Sequence, residues 1–444
     1  MHVPNRSYSL NSTKNLIADA LMRRKMRLQK NKDFETVAQS VRSRTQFPEL
    51  CSFENYPTYQ NILHMRSASE KFNIKNPFFS ILDGIPSATI KIGEKTFDNF
   101  ASYNYLDLNG DSRVIRAAKN AIDQYGTSVS ASRLVSGERS IQLELENALA
   151  KLHGVERALI FVSGHATNVT TIGCLFDEKD LILHDEFIHD SVRQGIKLSG
   201  ATRLSFSHND WEALDKLLCS RRSEFRRVLI VIEGIYSMDG DFPDLPEFIT
   251  IKKKHSTFLM VDEAHSLGVM GKTGRGIAEH FDIDPTAVDI WMGTLSKTLA
   301  GCGGYIAGTP ALVDHLKVAA PGFLYSVGIS PPLVAASHAA LDILLQEPER
   351  VAIMRTNGQQ FLIEAKKNRL NTGLSEGFNI IPILCGSSRK AVQLANALYD
   401  KNIYVQPIIY PGVPEKEARL RFFISSAHTS EQIINTIKAI VKLI

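Results

Sequence analysis

Short apolar runs recur between helical patterns through the middle of the chain, and polar residues follow each run. The runs occupy residues 158–162, 181–183, 228–232 and 257–261. Strands that are buried on both faces have nearly continuous apolar sequences, and their alternation with helices is typical of a parallel sheet. The sequence therefore predicts an α/β fold with a mostly parallel sheet.

The residues that follow these runs are the first candidates for a functional site. Ligands of parallel sheets bind beyond the carboxyl ends of the strands, where those ends share one edge of the sheet. We therefore expect the following residues to contribute to a single site: Ser163, Gly164, His165, His184, Asp185, His189, Glu233 to Ser237, Asp262 to His265, and Thr294 to Lys297.

These residues offer a specific combination of chemistry. Lys297 supplies an amine, Asp262 a carboxylate, His189 and His265 imidazoles, and Gly164 a turn that opens a helix. A lysine that can form a Schiff base, an acid for a pyridine nitrogen and a helix N-terminus for a phosphate are what pyridoxal phosphate (PLP) requires. The pattern therefore indicates a PLP site.

Two nucleotide-binding motifs compete with this interpretation. The string Asp262-Glu263-Ala264-His265 matches the DEAH helicase box, and Gly271-Lys272-Thr273 resembles the end of a Walker A loop. However, Ser266 stands where the first Walker glycine belongs, and the element follows the acidic box instead of preceding it. Gly301 to Gly304 lacks the glycine spacing of a dinucleotide loop. Both interpretations are disfavoured.

Neither a metal site nor a disulfide framework is predicted. His184, Asp185 and His189 do not have the helical spacing of a zinc site. The five cysteines are scattered and form no Cys-x-x-Cys pair.

No apolar stretch is long enough to span a membrane, and the polar N-terminus shows no secretion signal, so we expect a reducing, cytoplasmic location.

Charge and composition divide the chain into regions. Its 51 Lys and Arg residues exceed its 47 Asp and Glu residues by only four, which is too weak a field to predict binding to nucleic acid. The positive charge is instead local, within a polar N-terminal region that we predict to contain an amphipathic helix. Its basic residues are Arg23, Arg24, Lys25, Arg27, Lys30 and Lys32. We predict an N-terminal extension (1–75), a large cofactor-binding domain (76–330) and a smaller α+β domain (331–444).

Local patterns also predict individual elements outside the central runs. We expect a strand pair between residues 90 and 104, with later strands and helices at the following positions. The strands are 378–384, 403–409 and 420–425, and the helices are 141–153, one opening near His165, 331–345, 390–401 and one at the C-terminus.

Several ordered strings identify a family resemblance. From about Phe97 to Ile444 the chain resembles the α-oxoamine synthases, which are fold-type I PLP enzymes that include aminooxononanoate synthase and serine palmitoyltransferase. The strings are Asn104-Tyr105-Leu106, Tyr125-Gly126-Thr127, Ser132 to Gly137, Asp185 to Ser191, Tyr236 to Asp241, Val261 to Gly268, Gly293 to Lys297, and Ala418 to Arg421.

The resemblance implies a role for each site residue. Lys297 would hold the cofactor and move the Cα proton, and Asp262 would pair with the pyridine nitrogen. The ring would be stacked by His189, and its 3-hydroxyl would be bound by His265 and Ser237. Arg421 would bind the substrate carboxylate, assisted by Asn104. The phosphate would be held by Gly164, His165 and Thr294.

The resemblance also implies a reaction and an assembly. A small amino acid (glycine, alanine or serine) would condense with an acyl thioester and lose carbon dioxide to give an α-amino ketone, in a homodimer without a metal. The thioester would be carried by coenzyme A or by an acyl carrier protein. A non-catalytic or regulatory partner subunit and a same-fold aminotransferase are the alternatives. Lys297 argues against the first, and the strings around Ser237 and Asp262 argue against the second.

Overall fold

The computed structural model describes residues 48–71 and 74–444. Contacts between residues divide the chain into one unit up to Lys75 and a second from Asn76 to Ile444. In the first unit, 3-10 turns at Pro48–Cys51 and Phe53–Asn55 precede helix α1 (Pro57–Lys71). The predicted basic helix around Arg23 lies outside the described residues. Within the described ranges, every helix is too short or too polar to cross a membrane.

The second unit alternates strands and helices. The strands are β1 (Thr89–Ile92), β2 (Lys95–Asn99), β3 (Arg157–Phe161), β4 (Leu181–Asp185), β5 (Thr202–Phe206), β6 (Val228–Glu233), β7 (Phe258–Asp262), β8 (Ile290–Thr294), β9 (Gly304–Gly308), β10 (Ile380–Leu384), β11 (Ile403–Tyr404), β12 (Gln406–Ile408) and β13 (Arg419–Phe423). The helices are α2 (Ser112–Tyr125), α3 (Ser140–Leu152), α4 (Gly164–Leu175), α5 (Asp190–Ser199), α6 (Trp211–Arg221), α7 (Leu245–His255), α8 (Ile277–His280), α9 (Pro310–Ala319), α10 (Pro321–Leu324), α11 (Pro331–Gln346), α12 (Glu349–Lys367), α13 (Ser388–Tyr399) and α14 (Ser430–Leu443).

A seven-stranded sheet forms the centre of this unit and confirms the predicted fold class. Its order is β3-β9-β8-β7-β6-β4-β5, and only β9 runs antiparallel to its neighbours. The four predicted apolar runs correspond to β3, β4, β6 and β7. The carboxyl ends of all the parallel strands therefore share one edge of the sheet.

Three strands of this sheet were not among those predicted from apolar runs. Strand β5 lies at the sheet edge, where only Phe206 is buried, so its sequence is largely polar. Strand β8 is buried but contains Gly293, and β9 begins and ends with glycine. A Cβ at Gly304 would lie 2.4 Å from the Thr167 Oγ1 atom and 2.7 Å from the Gly164 Cα atom. That glycine therefore lets the start of α4 approach the sheet closely.

The C-terminal part of the chain has a sheet and a core of its own. Strand β13 pairs antiparallel with β10 and β12, while β11 pairs with β2. The single strand predicted at 403–409 is therefore two short strands in different sheets. Helix α11 contributes Leu341 and Leu344 to the core around the seven-stranded sheet, whereas Phe361 and Phe422 belong to a second core. The domain boundaries proposed from the sequence stay a prediction.

Phe361 provides a test of this second core. It is fully buried and packs with ring centroids 6.0 Å from Phe100 and 5.0 Å from Phe422. Because Phe361→Ala leaves a cavity, we expect it to lower the free energy of unfolding by about 3–5 kcal/mol, measured by urea denaturation. The control is Ile363→Ala on the same helix, where the side chain is 59% exposed and the change should be within about 0.5 kcal/mol. Equal losses in the two variants would contradict this assignment.

Candidate active site

A cavity of about 270 Å³ opens at the carboxyl ends of β3, β6, β7 and β8. It brings together eleven of the residues that the sequence placed at a single site, which are Ser163, Gly164, His165, His189, Glu233, Asp262, Ala264, His265, Thr294, Ser296 and Lys297. Asn168, Ser191 and Met292 complete its lining. The parallel strands thus converge on one site, as the positions of the polar residues predicted.

Lys297 follows β8 and is partly buried beside the cavity. Burial lowers the pKa of its amine to about 8, while the negative charges of Asp262 and Glu233 act in the opposite direction. Its Nζ atom lies 5.5 Å from the ring centroid of Tyr103. Near neutral pH, a far larger fraction of this amine is therefore uncharged and nucleophilic than in an ordinary lysine.

The carboxylate of Asp262 is held in place at the end of β7. Its Oδ1 atom accepts a hydrogen bond from the Ala264 backbone N–H at 3.0 Å, and its Oδ2 atom accepts one from the Asn168 amide at 2.9 Å. Asp262 and Asn168 are both buried. Sequence reasoning missed Asn168, because a single asparagine inside a helical pattern carries no motif.

A chain of hydrogen bonds connects Asp262 to His189. The Asn168 amide also donates to the Ser191 hydroxyl at 2.9 Å, and that hydroxyl lies 2.7 Å from the His189 Nδ1 atom. The Ser191 backbone N–H also points at Nδ1, at 3.3 Å. Nδ1 therefore accepts, and the neutral ring carries its proton on Nε2. The protein around the ring partly desolvates it and lowers its pKa.

Glu233 is a buried carboxyl group at the end of β6, which the sequence analysis placed at the site without assigning it a role. Its register partner across the sheet is Asp262, and its Oε1 atom accepts the His189 backbone N–H at 2.6 Å. Burial and the neighbouring charge of Asp262 raise its pKa well above its ordinary value. A protonated Glu233 avoids repulsion with Asp262 and still positions the His189 backbone.

His265 is buried, and Tyr105 holds it from behind. The Tyr105 hydroxyl lies 2.8 Å from the His265 Nδ1 atom. Burial lowers the pKa of His265 well below its ordinary value, and the positive charges of Lys297 and Arg421 act in the same direction. The ring is therefore neutral near pH 7 and can exchange a hydrogen bond with a group in the cavity.

The N-terminus of α4 forms one end of the cavity. The Ser163 hydroxyl caps the helix by accepting the Ala166 N–H at 3.0 Å, while the Gly164 and His165 N–H groups have no acceptor within the helix. A Cβ at Gly164 would lie 3.1 Å from the Thr294 Oγ1 atom. Glycine therefore leaves room for a ligand at this positive helix end, which suits an anion.

Arg421 lies near the cavity but not in its lining. Its Nη1 atom donates to the Ser237 carbonyl at 2.8 Å, and its guanidinium carbon lies 4.7 Å from the ring centroid of Phe423. Its buried Nε atom has no hydrogen-bond partner among the residues that the structure describes. Burial lowers its pKa. An unpaired buried donor of this kind fits a carboxylate ligand.

The structure does not bring Ser237 or Asn104 into the cavity lining. The backbone carbonyl of buried Ser237 anchors Arg421, as described above. The Asn104 amide donates to the Pro86 carbonyl at 2.7 Å and to Asp107 at 3.1 Å, and its oxygen accepts the Leu108 N–H at 2.8 Å. The substrate role assigned to Asn104 stays a prediction, and in this structure its side chain is engaged by Pro86, Asp107 and Leu108.

The chain matches known proteins over most of its length. The family model for aminotransferase class I and II matches residues 96–440. The 8-amino-7-oxononanoate synthase of Fervidobacterium nodosum is 39% identical over 371 residues, which span 82% of this chain and 93% of that protein. The serine palmitoyltransferase of Sphingobacterium spiritivorum is 36% identical over 369 residues, which span 82% of this chain and 91% of that protein.

A similar fold is found in solved structures. A variant serine palmitoyltransferase from S. paucimobilis, solved with a bound PLP–myriocin aldimine, is 25% identical with a TM-score of 0.84. The match covers 88% of this chain and 98% of that chain. The architecture around the cavity is therefore shared with an enzyme whose structure contains PLP.

The unusual acidity of Lys297 can be measured directly in protein freed of small-molecule ligands. Competitive acetylation followed across pH by mass spectrometry should give a midpoint near 8 for Lys297. Since the negative charge of Asp262 favours the ammonium form, Asp262→Asn should lower this midpoint further. Exposed Lys401 provides an internal reference. A Lys297 midpoint near the ordinary lysine value of about 10.4 would contradict this description of the site.

Proposed function

Because the chain belongs to the aminotransferase class I and II family and, within it, to the α-oxoamine synthases, we propose that its cavity binds PLP and catalyses a decarboxylative condensation. A small amino acid and an acyl thioester would give an α-amino ketone, carbon dioxide and a thiol. The observation that carries this proposal is the convergence of Lys297, Asp262 and the α4 N-terminus on one cavity.

The residues of the cavity fit PLP. The N–H groups at the start of α4 suit the phosphate, and the absence of a side chain at Gly164 keeps that space open. Asp262 presents a carboxylate for the pyridine nitrogen, and neutral His265 can bond the 3-hydroxyl. Lys297 supplies the amine that holds the aldehyde carbon. Bound PLP would supply an electron sink for charge that develops at the substrate Cα atom.

The residues around this group would control which bond breaks first. Arg421 would bind the substrate carboxylate, using the Nε donor that is otherwise unpartnered in the described part of the chain. A carboxylate held there is retained through the first step, which leaves the Cα–H bond as the one to break. The substrate amine would first displace Lys297, whose freed amine, with its lowered pKa, would then accept that proton. The Cα atom would attack the acyl carbon and the thiol would leave. Carbon dioxide would follow, and Lys297 would return a proton to the Cα atom.

We also propose that the chain forms a homodimer. The loops at 131–137 and 325–328 are joined by a bridge between Ser132 and Val327 and by the Gly328 N–H, which donates to the Ala131 carbonyl. They display a cluster of exposed apolar side chains, which we call the loop patch. Its members and their exposed fractions are Leu134 (65%), Val135 (80%), Tyr325 (86%) and Val327 (50%). A cluster of this kind favours coverage by a second copy of the chain.

The acyl donor and the cellular compartment complete the proposal. Coenzyme A and an acyl carrier protein are both compatible with the reaction. Carrier proteins are acidic, so a carrier donor would be favoured by the basic N-terminal residues Arg23, Arg24, Lys25 and Arg27. Their neutralisation should then slow the reaction with a carrier-bound donor, but not with the coenzyme A thioester. The five free cysteines are compatible with a cytoplasmic location.

The cofactor assignment is tested at Lys297. Lys297→Ala should lose the visible absorbance of lysine-bound PLP and lower kcat by at least about 1000-fold, because both the covalent attachment and the proton acceptor are removed. Turnover is measured as thiol release with glycine, alanine or serine and a series of acyl thioesters. Lys401→Ala, at an exposed lysine, should keep both absorbance and turnover. Full activity in Lys297→Ala would refute the proposal.

The homodimer is tested at the loop patch. The double variant Val135→Glu and Tyr325→Glu should shift the molar mass measured by light scattering from dimer to monomer, because it would bury charges in an apolar interface. Ile363→Glu on α12 places the same charge at another exposed apolar side chain and should leave the mass unchanged. A monomeric wild-type protein with full turnover would overturn the dimer proposal.

A further inference from the structure

A buried ion cluster lies outside the cavity lining, at the turn that follows the edge strand β5. The His208 Nδ1 atom lies 2.9 Å from the Asp185 Oδ1 atom, and its Nε2 atom lies 2.7 Å from the Asp241 Oδ2 atom. The exposed fractions of these side chains are 8% for His208, 0% for Asp185 and 8% for Asp241. We call these three residues the His208 clamp.

The geometry requires His208 to be charged. A neutral imidazole has one N–H group, so one of the two carboxylates would face a nitrogen lone pair. Only the imidazolium donates to both. Burial opposes this charge, but the hydrogen bonds that His208 donates to Asp185 and Asp241 outweigh it and raise the pKa of His208 to about 10. The cation therefore persists throughout the physiological pH range.

Other groups hold the ring in one orientation. Phe187 stacks on it with a centroid separation of 4.4 Å, and Tyr236 contacts it edge-on at 4.5 Å. The Glu186 Oε1 atom accepts the His208 backbone N–H at 2.8 Å. Asn209 donates its side-chain amide to Asp241 and its backbone N–H to the second oxygen of Asp185. The clamp is thus a rigid connection between two segments.

Each carboxylate belongs to a segment that leads into the proposed active site. Asp185 ends β4, accepts the Phe187 N–H at 2.8 Å, and is followed four residues later by His189. Asp241 closes the loop that begins at Tyr236, whose N–H donates to the Asp241 carbonyl at 2.9 Å. That loop contains the Ser237 carbonyl, which anchors Arg421. The clamp therefore joins the His189 segment to the Arg421 anchor.

We propose that His208 is a positioning residue that keeps the His189 segment and the Ser237–Arg421 contact in register across the proposed active site. The inference rests on the proposed function, because it assigns His189 to the cofactor and Arg421 to the substrate carboxylate. Loss of the clamp should therefore affect cofactor geometry and amino-acid binding together. It should leave binding of the acyl thioester unchanged.

The test compares the holoenzyme forms of His208→Gln and His255→Gln. Glutamine can donate to only one of the two carboxylates of the clamp. His255 provides a matched control, because its Nε2 atom lies 2.7 Å from Asp215 with the side chain 10% exposed. It precedes β7 and so lies at the opposite edge of the sheet from the cavity. Both variants replace a largely buried histidine that contacts a carboxylate, but only His208→Gln leaves one carboxylate without its partner.

We expect His208→Gln to raise the amino-acid KM at least fivefold, lower kcat at least tenfold, and change the circular dichroism of bound PLP. The acyl thioester KM should stay within twofold of wild type. His255→Gln should keep all four quantities near wild type even if its thermal stability falls as much. Wild-type kinetics and dichroism in His208→Gln, or equal changes in the two variants, would overturn the proposal.

Two further measurements keep the test decisive. If His208→Gln does not fold, Asp241→Asn can donate to the Nε2 atom of a neutral His208 and so keeps both contacts of the ring, at the loss of the Asn209 amide contact, whereas Asp241→Ala removes one contact of the ring. The alanine variant should show the expected losses and the asparagine variant should recover most of them, while equal activity in the two would contradict the role of the clamp.

If the wild type binds PLP without any turnover, the proposed reaction fails, and the dichroism comparison still decides the role of His208.

Discussion

The buried carboxylate of Asp262 is the charge on which the arrangement of the site depends. It lies buried at the end of a central strand, where a carboxylate needs hydrogen-bond donors in place of water. The Asn168 amide and the Ala264 N–H provide those bonds. The negative charge in turn raises the pKa of Lys297 against the effect of burial. The amine therefore titrates near neutrality instead of being fully neutral.

Neighbouring groups adapt to this charge. Glu233 lies beside Asp262 in the parallel register, and its raised pKa favours the neutral form next to that charge. His189 and His265 are kept neutral by burial, and each is oriented by a hydroxyl group, from Ser191 and Tyr105 respectively. The site thus contains one fixed anion, one titrating amine and two oriented neutral imidazoles. This set can bind a cationic ring and move a proton.

The positions of these groups depend on contacts between distant parts of the chain. Gly304 lets α4 approach the sheet, so that the positive end of the helix reaches the cavity. Arg421 comes from a strand of the C-terminal sheet and is anchored on a loop that follows β6. The His208 clamp connects that loop to the segment after β4. The site is therefore assembled from elements that are far apart in sequence.

Sequence alone was sufficient for the features that depend on local pattern. Continuous apolar runs predicted β3, β4, β6 and β7, because strands covered on both faces leave no place for polar residues. The residues that follow those runs, together with Thr294 to Lys297, include eleven of the cavity residues, since parallel strands end at one edge. Strand β9 was not predicted, because it begins and ends with glycine, a residue of low strand propensity. Gly304 is required there because the start of α4 packs closely against it.

Only the tertiary structure decided which other groups contact these residues. Asn168, Tyr105 and His208 have no local signature, because their partners are 94, 160 and at least 23 residues away in the chain. The structure also shows that the Asn104 amide, which the resemblance assigned to the substrate, donates to Pro86 and Asp107. Sequence pattern determines which residues end each strand. Hydrogen bonds and ion pairs between distant segments determine the protonation and orientation of those residues, and they exist only when the chain is folded.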